Sequence, residues 1–133
     1  GMPAYHTTKH ASVALSESTS FDLQAVNANI QMSVFCPGFV QTDLHHHENH
    51  RPERFSDKSD PYYSSPQYAA GLKRAEFVIT TGMPIDSIGM SVMNGIEENQ
   101  FYILTHPIYN TLVGRRVKDI LEGRGPDLKA LRG

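Results

Sequence analysis

The sequence predicts an α/β chain with about two parallel strands and flanking helices. A helix-forming run fills residues 1–26, short apolar stretches at 30–36 and 101–104 have strand length, and segments with helical apolar spacing lie between and after them. The resulting order is helix, strand, loop, helix, helix, strand, helix. Parallel neighbours need a long crossover, so this order gives one right-handed βαβ unit with extra helices.

Pro3 suits the first turn of the opening helix, where its missing N–H costs nothing. That helix is expected to run to about Val26, with Asn27 and Asn29 tolerating the left-handed turn that ends it. Ala4, Thr8, Ala11, Leu15, Ser18 and Asp22 repeat along one face, with Ala14, Phe21 and Ala25 beside them. Such a face admits a close neighbour, by default the domain's own sheet.

In the strand at 30–36, Ile30, Met32, Val34 and Cys36 share a face, and Phe35 makes the other face partly apolar. A central strand covered on both sides is expected. It breaks at Pro37-Gly38. Residues 43–65 are polar and irregular, with His45, His46, His47 and His50 among them. Imidazoles bind zinc or nickel, but no second ligand cluster accompanies these, so a solvated loop and no metal are expected. Tyr62 and Tyr63 either line a pocket or cover the base of the loop.

Ser65 and Pro66 read as N-cap and first position of a helix ending near Thr80. After the break at Gly82-Met83-Pro84, Ile85, Ile88, Gly89, Val92, Met93 and Ile96 recur at helical spacing and are expected in the core. A second strand follows at 101–104. His106-Pro107 starts a last helix bearing Ile108, Leu112, Val113, Ile120 and Leu121; Gly123 to Pro126 ends it, and residues 124–133 form an exposed tail.

A chain of 133 residues holds one ordinary core. Its net charge of −2 gives no electrostatic footprint for nucleic acid or an anionic membrane. No apolar run approaches the roughly 20 residues that span a bilayer, and the first residues do not read as a signal peptide. The single cysteine, Cys36, cannot form an internal disulfide and is expected as a buried thiol. That usage suits a cytoplasmic protein.

Two stretches carry chemistry. On a helix, Tyr5 and Lys9 lie one turn apart on the same face. A phenol is a poor base near neutrality, and an ammonium beside it favours its anion. The pair can then exchange a proton with a substrate hydroxyl or carbonyl. The plain alternative is an exposed helix start with a solvated lysine. At Pro37-Gly38 a strand ends, and ligands of open α/β sheets bind beyond such ends. The plain alternative there is a strand-ending turn.

AYHTTKHASVALSES at 4–18, CPGFVQTDL at 36–44 and FYILTHP at 101–107 together resemble the C-terminal half of the short-chain dehydrogenase/reductase family, over most of the chain. The resemblance implies the C-terminal half of a Rossmann-type doubly wound parallel sheet. It implies an NAD(P)-dependent oxidoreductase moving a hydride between nicotinamide and a small-molecule alcohol or ketone. Tyr5 would be the acid/base, with Lys9 favouring its phenolate and holding the nicotinamide ribose. Pro37, Gly38 and the following backbone, Val40 included, would touch the nicotinamide, and Thr42 would lie near the carboxamide and phosphates. Residues 43–65 would be the variable substrate loop. The first helix would also help form a dimer-wide helix bundle, so a homo-oligomer is expected.

A Rossmann-type site also needs a glycine-rich turn after its first strand to meet the pyrophosphate. The glycines at 1, 38, 71, 82, 89 and 95 are scattered instead. By comparison with the family, the nucleotide-binding strands and the serine upstream of the tyrosine fall outside these residues. The expectation is therefore a truncated fragment that binds neither NAD nor NADP alone and is inactive alone. Two alternatives are a non-catalytic oligomerisation or binding module, and a half-site completed by another copy or by a nucleotide-binding chain.

Overall fold

The structure is a computed structural model that describes residues 2–127. Its elements are α1 (Pro3–Ala25), β1 (Val34–Cys36), α2 (Pro66–Thr80), α3 (Ile85–Glu97), β2 (Tyr102–Leu104) and α4 (Asn110–Leu121). Short 3-10 turns occupy Leu44–His50, Glu53–Phe55, Pro61–Ser64 and Pro107–Tyr109.

Three helices stop by one device. After α1, Asn27 takes φ 51° and the Ala28 amide donates to the Leu23 carbonyl at 3.0 Å. After α3, Asn99 takes φ 56° and the Gln100 amide donates to the Gly95 carbonyl at 2.8 Å. Gly123 does the same for α4 at φ 66°. Each left-handed residue turns the chain back on orphan carbonyls of the last turn. Helix α2 opens as its sequence indicates, with the Ser65 hydroxyl accepting the Tyr68 amide at 3.1 Å.

β1 and β2 pair in parallel, with Val34 opposite Tyr102, Phe35 opposite Ile103 and Cys36 opposite Leu104. The strand expected over 30–36 shortens to three residues, and Ile30 is exposed. Strand geometry persists only where a partner takes up backbone hydrogen bonds, and β2 is itself three residues long. Covering on both sides is also corrected. Val34 is buried and Cys36 half-buried, whereas Phe35 is exposed.

The core centres on Val34, Ile79 and Ile103, with Thr105 buried at its edge. Helix α3 reaches it through Gly95, where a Cβ would stand 2.7 Å from Ile103 Cγ1. The expectation that its apolar face is core is corrected in part. Ile88 and Val92 are half-buried, but Ile85, Gly89, Met93 and Ile96 are exposed, because two three-residue strands are too narrow to cover the 13 residues of α3.

Helix α1 meets the rest of the chain on a different face from the one its small residues mark. Val13, Ser16, Glu17, Ser20 and Leu23 are half-buried, while Ala4, Thr8, Ala11, Leu15, Ser18 and Asp22 stay exposed, so they do not pack on this chain's own sheet. The Tyr102 hydroxyl donates to the Glu17 carboxylate, tying β2 to α1. The last α-helix begins only at Asn110, because His106 and Pro107 lead into a 3-10 turn. Ile108, Leu112, Val113, Ile120 and Leu121 are exposed. Residues 128–133 of the expected tail lie outside the described residues. Among those described, no helix is long and apolar enough to cross a membrane.

Candidate active site

The opening turns of α1 bring Tyr5 and Lys9 together. The Lys9 ammonium lies 5.5 Å from the centroid of the Tyr5 ring, and both side chains are exposed. The His6 ring meets the edge of Tyr5 at 5.6 Å, and the Thr8 hydroxyl donates to the Tyr5 carbonyl at 2.8 Å. This arrangement follows from helical spacing, and it presents a phenol and an ammonium side by side to solvent.

The second group lies where β1 ends. Beyond Pro37 the chain runs beside the α2–α3 link: Val40 bridges Met83, the Met83 amide donates to the Phe39 carbonyl at 2.9 Å, and the Gln41 amide donates to the Met83 carbonyl at 2.9 Å. The Gly38 amide donates to Nδ1 of His106 at 3.1 Å, and Nε2 of His106 lies 3.1 Å from the Phe39 carbonyl. A Cβ on Gly38 would stand 2.6 Å from the Tyr109 ring and 2.7 Å from the His106 ring. Only glycine lets this backbone approach so closely. Pro37 is exposed, Val40 half-buried, and the Thr42 hydroxyl accepts the Leu44 amide at 3.4 Å. Among the described residues, no hydrogen bond, ion pair or ring contact joins these residues to Tyr5 or Lys9.

The segment at 43–65 is more ordered than its composition suggests. Glu48 accepts Arg51 at 2.6 Å, Lys58 at 2.8 Å and the Tyr68 hydroxyl at 2.9 Å. The Lys58 ammonium foremost, helped by the Tyr68 hydroxyl and Arg51, holds the Glu48 carboxyl at about 2 against the opposing effect of burial. Arg51 also donates to the Tyr63 hydroxyl at 3.0 Å, and the rings of Tyr62, Tyr63 and Tyr68 meet edge to face. Tyr62 and Tyr63 thus cover the base of the loop. His46 and His50 both bond Asp43 and keep its carboxyl below its ordinary range, His50 most strongly. The histidine loop is solvated, with His46, His47 and His50 exposed, and two of its imidazoles serve a neighbouring carboxylate. Cys36 is only half-buried, and that burial pushes its thiol up.

No family profile matches the chain. It is 53% identical over 133 residues to a CLA biosynthesis dehydrogenase/reductase of Lactiplantibacillus plantarum, covering all of this chain and 46% of that protein. It superposes with a TM-score of 0.80 and 30% identity on the crystal structure of a short chain dehydrogenase/reductase SDR from Burkholderia phymatum in complex with NAD. That match covers 92% of this chain and 43% of the other. The chain carries the C-terminal half of a short-chain dehydrogenase/reductase fold. It spans about half the length of the relatives it matches.

Within this short-chain dehydrogenase/reductase half, the sequence drew attention to Gly38 but not to His106 or Tyr109, which enclose it. A signal was present. Aligning the two strands in parallel at Cys36 and Leu104 puts the residues two places further on, Gly38 and His106, opposite each other. A polar ring at that register faces the strand end where this fold binds its ligands.

Proposed function

We propose that these residues supply the proton-transferring end of an NAD(P)-dependent oxidoreductase, which moves a hydride between nicotinamide and a small-molecule alcohol or ketone. The observation that carries this is the exposed Tyr5–Lys9 pair, with ammonium and phenol ring 5.5 Å apart. The Burkholderia relative is in complex with NAD. Residues present here fit one end of such a cofactor: Tyr5 and Lys9 on an open helix face, and the exposed or half-buried backbone of Pro37–Val40 beyond the end of β1. The glycine-rich turn for the pyrophosphate is not among them.

The nicotinamide, when bound, supplies the hydride chemistry. Tyr5 holds or releases the substrate's proton at its phenolic oxygen, while Lys9 holds the ribose hydroxyls. Pro37, Gly38 and Val40 place backbone against the nicotinamide, and the Thr42 hydroxyl takes its carboxamide or phosphate side. The ordered segment at 43–65 bounds the substrate. We infer a cytoplasmic homo-oligomer and an isolated chain that neither binds the cofactor nor turns over. A second reading, an assembly module without catalysis, draws on the exposed apolar residues Leu15, Phe21 and Phe77.

The test joins this chain to the part of the Lactiplantibacillus relative that lies outside the match, and assays cofactor-dependent reduction of a carbonyl panel. Tyr5→Phe should lower kcat by about 10²–10⁴-fold, the range for a lost general acid. Lys9→Ala should lower kcat and raise the cofactor KM. Unchanged kcat in Tyr5→Phe would overturn the role of Tyr5, and a joined protein with no activity on the panel would favour the module. Titrating the isolated chain into NADH, followed by the cofactor's fluorescence, should show no saturation; the absence of tryptophan keeps that signal clean.

A further inference from the structure

We propose that His106 is a positioning residue, which in its neutral Nε2–H form fixes the Gly38–Phe39 backbone for the nicotinamide. The proposal rests on the reading of residues 37–42 given above. Two partners that bond in one direction only decide the form of the ring. A backbone amide can only donate, so the Gly38 N–H requires a lone pair on Nδ1. A carbonyl can only accept, so the Phe39 oxygen requires a proton on Nε2. The Thr105 hydroxyl, 2.7 Å from Nδ1, can bond either way and here donates to the same lone pair, which it shares with the Gly38 amide.

The ring therefore spans an amide and the next residue's carbonyl on a single stretch of backbone. Phe39 O also accepts the Met83 amide, so both of its lone pairs are engaged and the peptide is held from the α2–α3 link as well. Tyr109 lies over the His106 ring at 5.6 Å and 22° and limits its tilt. Buried Thr105 anchors the ring just beyond the end of β2. Two separate parts of the chain, residues 105–109 and the α2–α3 link, thus converge on one dipeptide, and His106 is the only side chain among the described residues that bonds both of its ends.

Asparagine and glutamine divide the two bonds. His106→Asn places an acceptor near Nδ1 and keeps the Gly38 contact; His106→Gln places a donor near Nε2 and keeps the Phe39 contact; His106→Phe keeps only the stack on Tyr109. In the 133-residue chain, amide exchange at Gly38 measured by NMR should quicken in the Phe and Gln variants and stay slow in the Asn variant. In the joined enzyme, His106→Phe should lower kcat/KM by about 10²-fold, the effect of a misplacement of roughly 1 Å. Most of that loss should lie in kcat and cofactor KM, little in substrate KM, with partial recovery in the single-bond variants.

Wild-type kcat/KM in His106→Phe, with Tyr5→Phe still inactive, overturns the positioning role and leaves the proposed function standing. Silence of Tyr5→Phe as well overturns both. If His106→Phe does not fold, the Asn and Gln variants decide alone. A kcat loss in either then supports the role, and wild-type kinetics in both overturns it.

Discussion

At the scale of single residues, Gly38 is the most constrained position of the candidate site. The rings of His106 and Tyr109 stand within 2.6–2.8 Å of where its Cβ would be. Gly38→Ala should therefore displace a ring or the backbone, at a cost of about 1–3 kcal/mol, measured as a lowered midpoint in urea unfolding. Tyr109→Ala in the same chain should return part of that loss by opening space on one side. Tyr5 and Lys9 were legible because helical spacing alone brings them together. His106 was not, because its partners are distant in sequence and a histidine before proline looks like the start of a helix.

At the scale of elements, the segment at 43–65 depends on charge. An unpaired glutamate titrates near 4.5, and Glu48 is held at about 2. The folded state therefore binds fewer protons than the unfolded one across that window. The stability from Glu48 is fully present above about 4.5 and is lost as pH falls toward 2. Protease nicking or amide exchange within 44–64 should quicken over that range, and Glu48→Gln should flatten part of the response. Asp43 and Asp57, also held low, retain the remainder. Composition showed polar residues without showing which would pair, so this segment looked irregular.

Helix α3 makes its own prediction. Gly95→Ala presses a methyl group onto Ile103, which is 3% exposed, and should cost about 1–3 kcal/mol. Ile103→Val removes a methyl from the same contact, so the double variant should be more stable than the sum of the single losses implies. That double-mutant coupling is read from denaturation midpoints. The periodicity of α3 revealed an apolar stripe. It could not reveal how little sheet would lie beneath it.

For the whole molecule, an apolar sequence surrounds a thin core. Leu15, Phe21, Phe77 and Ile85 are each more than 60% exposed, and only three apolar side chains beyond glycine are buried among the described residues. Exposed apolar surface on this scale favours association. Sedimentation velocity should show species larger than the 14.8 kDa chain, growing with concentration. Leu15→Glu with Phe21→Glu should shift the distribution back toward the monomer. The helix order and parallel sheet were readable because each depends on local spacing and on the rule for crossovers, whereas burial depends on what lies opposite. The Gly38–His106 bond also joins positions 68 residues apart. Closing so long a loop delays the rewards of contact and slows folding, so in a refolding experiment the Gly38 amide should be among the last to gain protection, well after the helices have formed.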